Sequence, residues 1–180
     1  MRLLLLPLLL VGLTGCALLQ PASTSVDGIA QPAEPQLETT FFVVRHAEKA
    51  SDDPQDPSLD ADGEARARAL AEALAEVPLK AIYSTPTRRT RATAAPVAAD
   101  KALEVRDYDP AMPASELATL LHIRHAGDSV LLVGHSNTVP DIVTALCACP
   151  VEAMTEEEYG DLFRIRIASG GSTKLERDRF

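Results

Sequence analysis

Two short apolar runs, each ending on a histidine, constrain this chain more than any other feature. The first is Phe41-Phe42-Val43-Val44, followed by Arg45-His46-Ala47-Glu48-Lys49. The second is Val130-Leu131-Leu132-Val133, followed by Gly134-His135-Ser136-Asn137. Both are β-branched or bulky and apolar at successive positions, so they leave no polar face for water. That pattern belongs to strands covered on both sides, as in a parallel sheet flanked by helices. In such a sheet the carboxyl ends of the strands share one edge, and ligands bind in the crevice there. Two imidazoles and a guanidinium can therefore meet across a long sequence separation. Their chemistry suits a phosphoryl group.

The first 15 of the 180 residues do not suit a folded domain. Met1-Arg2 precedes an apolar stretch, Leu3 to Val11, that is too short to span a bilayer and has the form of a signal-peptide core. It ends in Leu13-Thr14-Gly15-Cys16, which resembles the bacterial lipobox, and lipidation is expected at Cys16. Ala17 then points to outer-membrane sorting and a periplasm-facing envelope lipoprotein. Residues 16–38 are rich in Pro, Ser, Thr, Gln and Ala with little to bury, and are expected to form a flexible tether. Residues 39–180 remain for a single domain.

Removing residues 1–15 takes away only one charge, Arg2, so the net charge moves from −9 to −10. An acidic chain without a basic run excludes nucleic acid as the expected partner. Arginines near the two motifs would then focus a local positive potential that draws in small anions. Of the remaining cysteines, Cys147 and Cys149 could form a disulfide, but the Cys-x-Cys ring is tight. The preferred reading is two small residues closing a helix before Pro150.

Between the motifs, strand and helix patterns alternate. Asp60 is expected to cap a helix whose Ala67, Leu70, Ala71, Leu74 and Val77 recur at helical spacing until Pro78. Strands are expected near 80–83 and 103–106, with helices to about Ala99, over 115–125 and over 137–146. Asp161–Ala168 alternates apolar and charged residues like a sheet-edge strand, and 172–175 could add one more. The loop 50–58, with three aspartates and two prolines, leaves the Arg45-His46 tip and should overhang the site. Strands alternating with helices predict a three-layer α/β/α sandwich around a mostly parallel sheet. Arg124-His125-Ala126 repeats the first motif's tripeptide, but it closes a helical pattern before Gly127 and reads as an ordinary basic helix end. His122 reads as a surface residue.

The segment Tyr83-Ser84-Thr85-Pro86-Thr87-Arg88-Arg89-Thr90-Arg91 opens one of these helices. Its three arginines cannot all face one point, but one or two can offer a planar donor fork to a tetrahedral anion. Arg45-His46, Ser84-x-Pro-x-x-Arg89 and Gly134-His135, in that order, resemble the histidine phosphatase superfamily, also called phosphoglycerate mutase-like. The first motif, Arg45-His46-Ala47-Glu48, resembles that of small variants reading Arg-His-Ala-Glu, including bacterial phosphohistidine phosphatase-like proteins. Ala47 stands in place of the usual glycine and Ala92 where many members carry glutamine.

The resemblance implies a metal-independent, cofactor-free phosphatase acting on phosphomonoesters or phosphoramidates. His46 would attack phosphorus and become phosphorylated. Arg45 and Arg89 would hold the equatorial oxygens, with His135 donating a further hydrogen bond. The N–H groups of Ser136 and Asn137, at a helix start, would add positive potential. For the family's acidic proton donor the candidates are Asp109 first and Asp107 second, with Glu48 a substrate-positioning residue. A phosphorylated small molecule or envelope component is the expected partner. The alternative is a non-catalytic lipoprotein that uses the same pocket to bind an anionic ligand.

Overall fold

The computed structural model describes residues 37–180. The expected signal segment, Cys16 and the tether up to residue 36 lie outside the described residues. The elements run β1 (Thr39–Arg45), α1 (Ala61–Ala73), β2 (Leu79–Ser84), α2 (Arg88–Lys101), β3 (Val105–Asp107), α3 (Ala114–Arg124), β4 (Ser129–Gly134), α4 (Val139–Cys147), β5 (Asp161–Ile167) and β6 (Thr173–Arg179). They form one six-stranded sheet in the order β3-β2-β4-β1-β5-β6. β3, β2, β4 and β1 are parallel, while β5 runs antiparallel to β1, and β6 to β5.

The burial of β1 accounts for its unbroken apolar run. Phe41 and Val43 face a core closed by Leu117 and Leu121 of α3 and by Ile142, Val143 and Leu146 of α4. Phe42 and Val44 face the opposite core, closed by Leu70 of α1 and Val97 of α2. Alternate side chains of one strand thus enter different cores, and burial of each large apolar side chain contributes roughly 1.5–3 kcal/mol. Helices on both faces give the expected three layers. The parallel register pairs Arg45 with Gly134, Ser84 with Val133 and Ser84 with Asp107. All four strand tips therefore meet at one edge.

Local expectations hold where the signal is local. Asp60 caps α1, its carboxylate accepting from the Gly63 N–H at 2.8 Å. Helix α1 ends at Ala73 instead of reaching Val77, yet Leu74 and Val77 still pack into the second core.

Three expectations need correcting. β5 is not an edge strand, because β6 lies outside it. Its charged face is matched by the partner strand: Arg164 pairs with Glu176 and Asp178, and Arg166 with Glu176. Helix α4 opens at Val139, so Ser136 and Asn137 lie in the turn ahead of it. Cys147 and Cys149 are joined in a disulfide. Cys147 ends α4, and Ala148 turns left-handed at φ 53°, folding Cys149 back to a Cα separation of 5.2 Å. His125 does close α3, as its C-cap, with its ring buried between the Tyr83 hydroxyl at 3.0 Å and Asp128 at 3.1 Å.

Candidate active site

His46 extends the β1 ladder by one residue, its backbone N–H donating to the Gly134 carbonyl at 2.9 Å. The residue is only 4% exposed. Its Nδ1 lies 2.7 Å from the Ala47 carbonyl. A carbonyl only accepts, so Nδ1 carries the proton and Nε2 keeps its lone pair. Burial pushes the His46 pKa down to about 3; the Ala47 bond opposes this, while His135, Arg45 and Arg89 reinforce it. At neutral pH the ring is therefore an uncharged nitrogen nucleophile. Ala47 is itself anchored, its N–H donating to Thr93 Oγ1 of α2 at 2.9 Å.

His135 occupies the equivalent place past β4, with the two rings 5.3 Å apart at 68°. Its Nδ1 faces Arg89 Nη2 at 3.3 Å, and its Nε2 lies 2.8 Å from Thr85 Oγ1. Arginine only donates, so Nδ1 accepts and the neutral ring's proton sits on Nε2, directed to Thr85. Burial first, then Arg89 and Arg45, lowers its pKa to about 4. The sequence reading made His135 a donor to phosphate. In this geometry that requires a second proton on Nδ1, which an arriving phosphate dianion would favour by offsetting the arginine charges. Gly134 permits the approach: a Cβ there would come within 2.9 Å of the Tyr108 hydroxyl oxygen and 3.1 Å of Thr138 Oγ1.

The two arginines are held differently. Arg45 Nη1 donates to the carbonyls of Thr155, Glu156 and Glu158 at 3.0, 3.0 and 2.8 Å. Its Nη2 reaches Glu156 Oε2 at 3.2 Å and the Tyr159 hydroxyl at 3.3 Å, and its guanidinium stacks 4.1 Å from the Tyr159 ring centroid. Of the three arginines opening α2, Arg88 and Arg91 go to rim aspartates, Asp52 and Asp107, and only Arg89 turns to His135. Asp56, from the loop expected to overhang the site, lies 3.7 Å from Arg89 Nη1.

Among the described residues, two buried side-chain nitrogens have no hydrogen-bond partner: Nε of Arg45 and Nε of Arg89. Leaving a charged donor buried and unmatched costs about 1–3 kcal/mol or more. An anion with several oxygens beside both guanidiniums would satisfy both N–H groups.

The sequence-predicted residues divide in two. His46, Arg45, Arg89 and His135 come together. Ser136 joins them through its buried hydroxyl, which donates to Glu156 Oε1, while Asn137 stays exposed in the turn. Asp109 is exposed and accepts from the Ala111 N–H at 2.8 Å, and Asp107 is paired with Arg91. Glu48, expected to position substrate, accepts from Arg66 Nε of α1 at 2.8 and 2.9 Å. Burial raises the Glu48 pKa, but the bonds to Arg66 more than offset this and keep its carboxyl low. Sequence reasoning missed Thr85, Thr93, Glu156 and Tyr159. Thr85 stood inside a recognised motif; the others carried no local signal.

A family model described as histidine phosphatase superfamily (branch 1) matches residues 41–111. No curated protein sequence matches this chain. Solved structures share its fold. One is the protein histidine phosphatase SixA complexed with tungstate, 20% identical, covering 78% of this chain and 96% of that one with a TM-score of 0.61. Another is mycobacterial glucosyl-3-phosphoglycerate phosphatase, at 16% identity, 79% and 98% coverage and a TM-score of 0.63. A third is phosphoserine phosphatase from Entamoeba histolytica in complex with 3-phosphoglyceric acid, at 14% identity, 79% and 98% coverage and a TM-score of 0.58. The matched segment carries His46 and Arg89, the fold shared with these structures brings His135 to them, and over residues 41–111 the chain is similar to the histidine phosphatase superfamily, branch 1.

Proposed function

We propose that the chain hydrolyses phosphomonoesters or phosphoramidates through a phosphohistidine at His46 Nε2, without a metal ion, while tethered to the bacterial envelope. The observation carrying the catalytic reading is the pair of buried, unmatched Nε–H groups on Arg45 and Arg89 beside a neutral imidazole. The guanidiniums hold the equatorial oxygens of the phosphoryl group and the His46 lone pair attacks phosphorus in line. His135, once protonated at Nδ1, adds a donor as charge shifts onto those oxygens. Fixed cations supply the electrostatic stabilisation that a metal provides in other phosphatases.

The test is turnover of a chromogenic phosphomonoester by residues 37–180, with and without EDTA. Expected are hydrolysis unaffected by chelation and inhibition by vanadate, which mimics five-coordinate phosphorus. Activity abolished by EDTA and restored by a divalent ion would overturn the metal-free reading. Tight phosphate binding without turnover would favour the non-catalytic alternative.

The envelope reading is supported by Leu13-Thr14-Gly15-Cys16 following an apolar core. Lipid chains on Cys16 would hold the domain at the membrane, with outer-membrane sorting following from Ala17. Among the described residues no helix is long and apolar enough to cross a membrane. Cys16→Ser should release the protein from the membrane fraction; unchanged attachment would sink the proposal.

A further inference from the structure

We propose that Glu156, oriented by Ser136, is the acid and base that moves the proton in both halves of the reaction. The inference rests on the phosphatase reading above and adds the group that reading lacks.

The carboxylates around the site are mostly committed elsewhere. Glu48 is held by Arg66, Asp107 by Arg91, and Asp109 by the Ala111 N–H. Asp52 and Asp56 engage Arg88 at the start of α2. Glu156 alone among these bonds to two residues of the pocket: Oε1 accepts from Ser136 Oγ, and Oε2 from Arg45 Nη2 at 3.2 Å. Lys49 Nζ stands 3.9 Å from the same Oε2. The backbone is held as well, since Arg45 Nη1 ties down the carbonyls on and around this residue. The carboxylate is thus fixed at the rim, yet its side chain is 65% exposed and exchanges protons with water.

In-line attack sets the requirement. His46 is buried, so a leaving oxygen opposite Nε2 faces the mouth, where Glu156 lies. The Ser136 hydrogen bond, helped by Arg45 and Lys49, holds the Glu156 carboxyl below the usual carboxylate range, so it rests as a base. A substrate bound as its monoanion brings a proton, which passes to Glu156. In the first step the Nε2–P bond forms and the P–O bond breaks, and Glu156 gives that proton to the departing oxygen, which leaves as an alcohol. In the second step Glu156 takes a proton from water as its oxygen bonds to phosphorus and the N–P bond breaks. Phosphate takes that proton from Glu156 and departs as the monoanion, His46 returns neutral, and Glu156 is again a carboxylate. Ser136 is a positioning residue in both steps.

The experiment uses aryl phosphates whose leaving phenols span a wide range of acidity, and kcat/KM, which reports on the step through P–O cleavage. Glu156→Gln should lose about 10²–10⁴-fold with the least acidic phenols and little with the most acidic, steepening the leaving-group dependence. It should also accumulate phosphorylated His46, since the base for the second step is gone. Glu156→Asp should recover part of the loss, and Ser136→Ala should show a weaker form of the same steepening. Glu157→Gln, exposed and outside the site, should match the parent. A Glu156→Gln loss equal for all leaving groups, or none at all, would overturn the assignment even with a fully active parent. A parent that neither turns over nor becomes labelled at His46 would instead remove the phosphatase reading, and this inference with it.

Discussion

His46 leaves β1 one residue past Arg45, and His135 leaves β4 one residue past Gly134, the two tips being paired in register. The same side chain at the same height on adjacent parallel strands ends in opposite chemical states. His46 spends Nδ1–H on the Ala47 carbonyl and presents a bare Nε2; His135 spends Nε2–H on Thr85 and presents Nδ1 to Arg89. On the proposed reading one ring attacks, and the other, once protonated at Nδ1, steadies an oxygen. The difference lies in a single contact at Nδ1, a backbone carbonyl that only accepts for one ring and a guanidinium that only donates for the other. Residue type alone carries no such distinction.

The strongest way to break this comparison is to delete each ring in turn. His46→Ala should abolish any trapped phosphoenzyme and turnover with it. The check is rapid quenching with labelled substrate at neutral or alkaline pH, followed by mapping of the phosphopeptide. His135→Ala should lose roughly 10²–10³-fold in turnover, as expected for one oxyanion donor, with the label still on His46. Label on His135 would reverse the two roles.

A subtler change should blur the comparison without removing either ring. Thr85→Val keeps the shape but takes away the acceptor for His135 Nε2–H. Losing a hydrogen bond worth about 1–1.5 kcal/mol should slow turnover by roughly tenfold. Nitrogen NMR of the imidazoles provides the sharper readout. His135 should stay protonated at Nε2, because Arg89 still donates to its Nδ1, and His46 at Nδ1; a tautomer mixture at His135 would mean that Thr85 rather than Arg89 sets its state.

The smallest effect is on stability against pH. Both imidazoles have folded pKa values, about 3 and about 4, below the ordinary 6.5. Between those values and 6.5 the unfolded chain binds protons that the folded chain refuses. Their contribution is thus intact above pH 6.5 and erodes as pH falls toward 4. Urea unfolding at pH 7 and pH 5 should show this loss, and His46→Gln/His135→Gln should lose less. An equal loss would show that other groups govern the acid limb.

Much of this site could be read before the fold was seen, and the unread part has a common cause. Arg89 belonged to a group of three arginines of which only one or two could turn inward, and one does. Glu156 and Tyr159 had no such pattern. They sit in a charged loop more than a hundred residues from Arg45, and contacts from that arginine, with Ser136 and Lys49, bring them in. The Cys147–Cys149 spacing alone reads as too tight a ring, and only the fold supplies the left-handed Ala148 that closes it.

By itself the sequence determined the layered α/β fold, the two buried strands and the edge at which their histidines meet. Those follow from apolar periodicity and from the rule that parallel strands end together, which act on short stretches of chain. The tertiary structure alone decided which nitrogen of each histidine is open, which arginine faces inward and which carboxylate stands at the mouth. Each depends on a hydrogen bond or ion pair a few ångströms long between residues remote along the chain, and no local pattern encodes a distance.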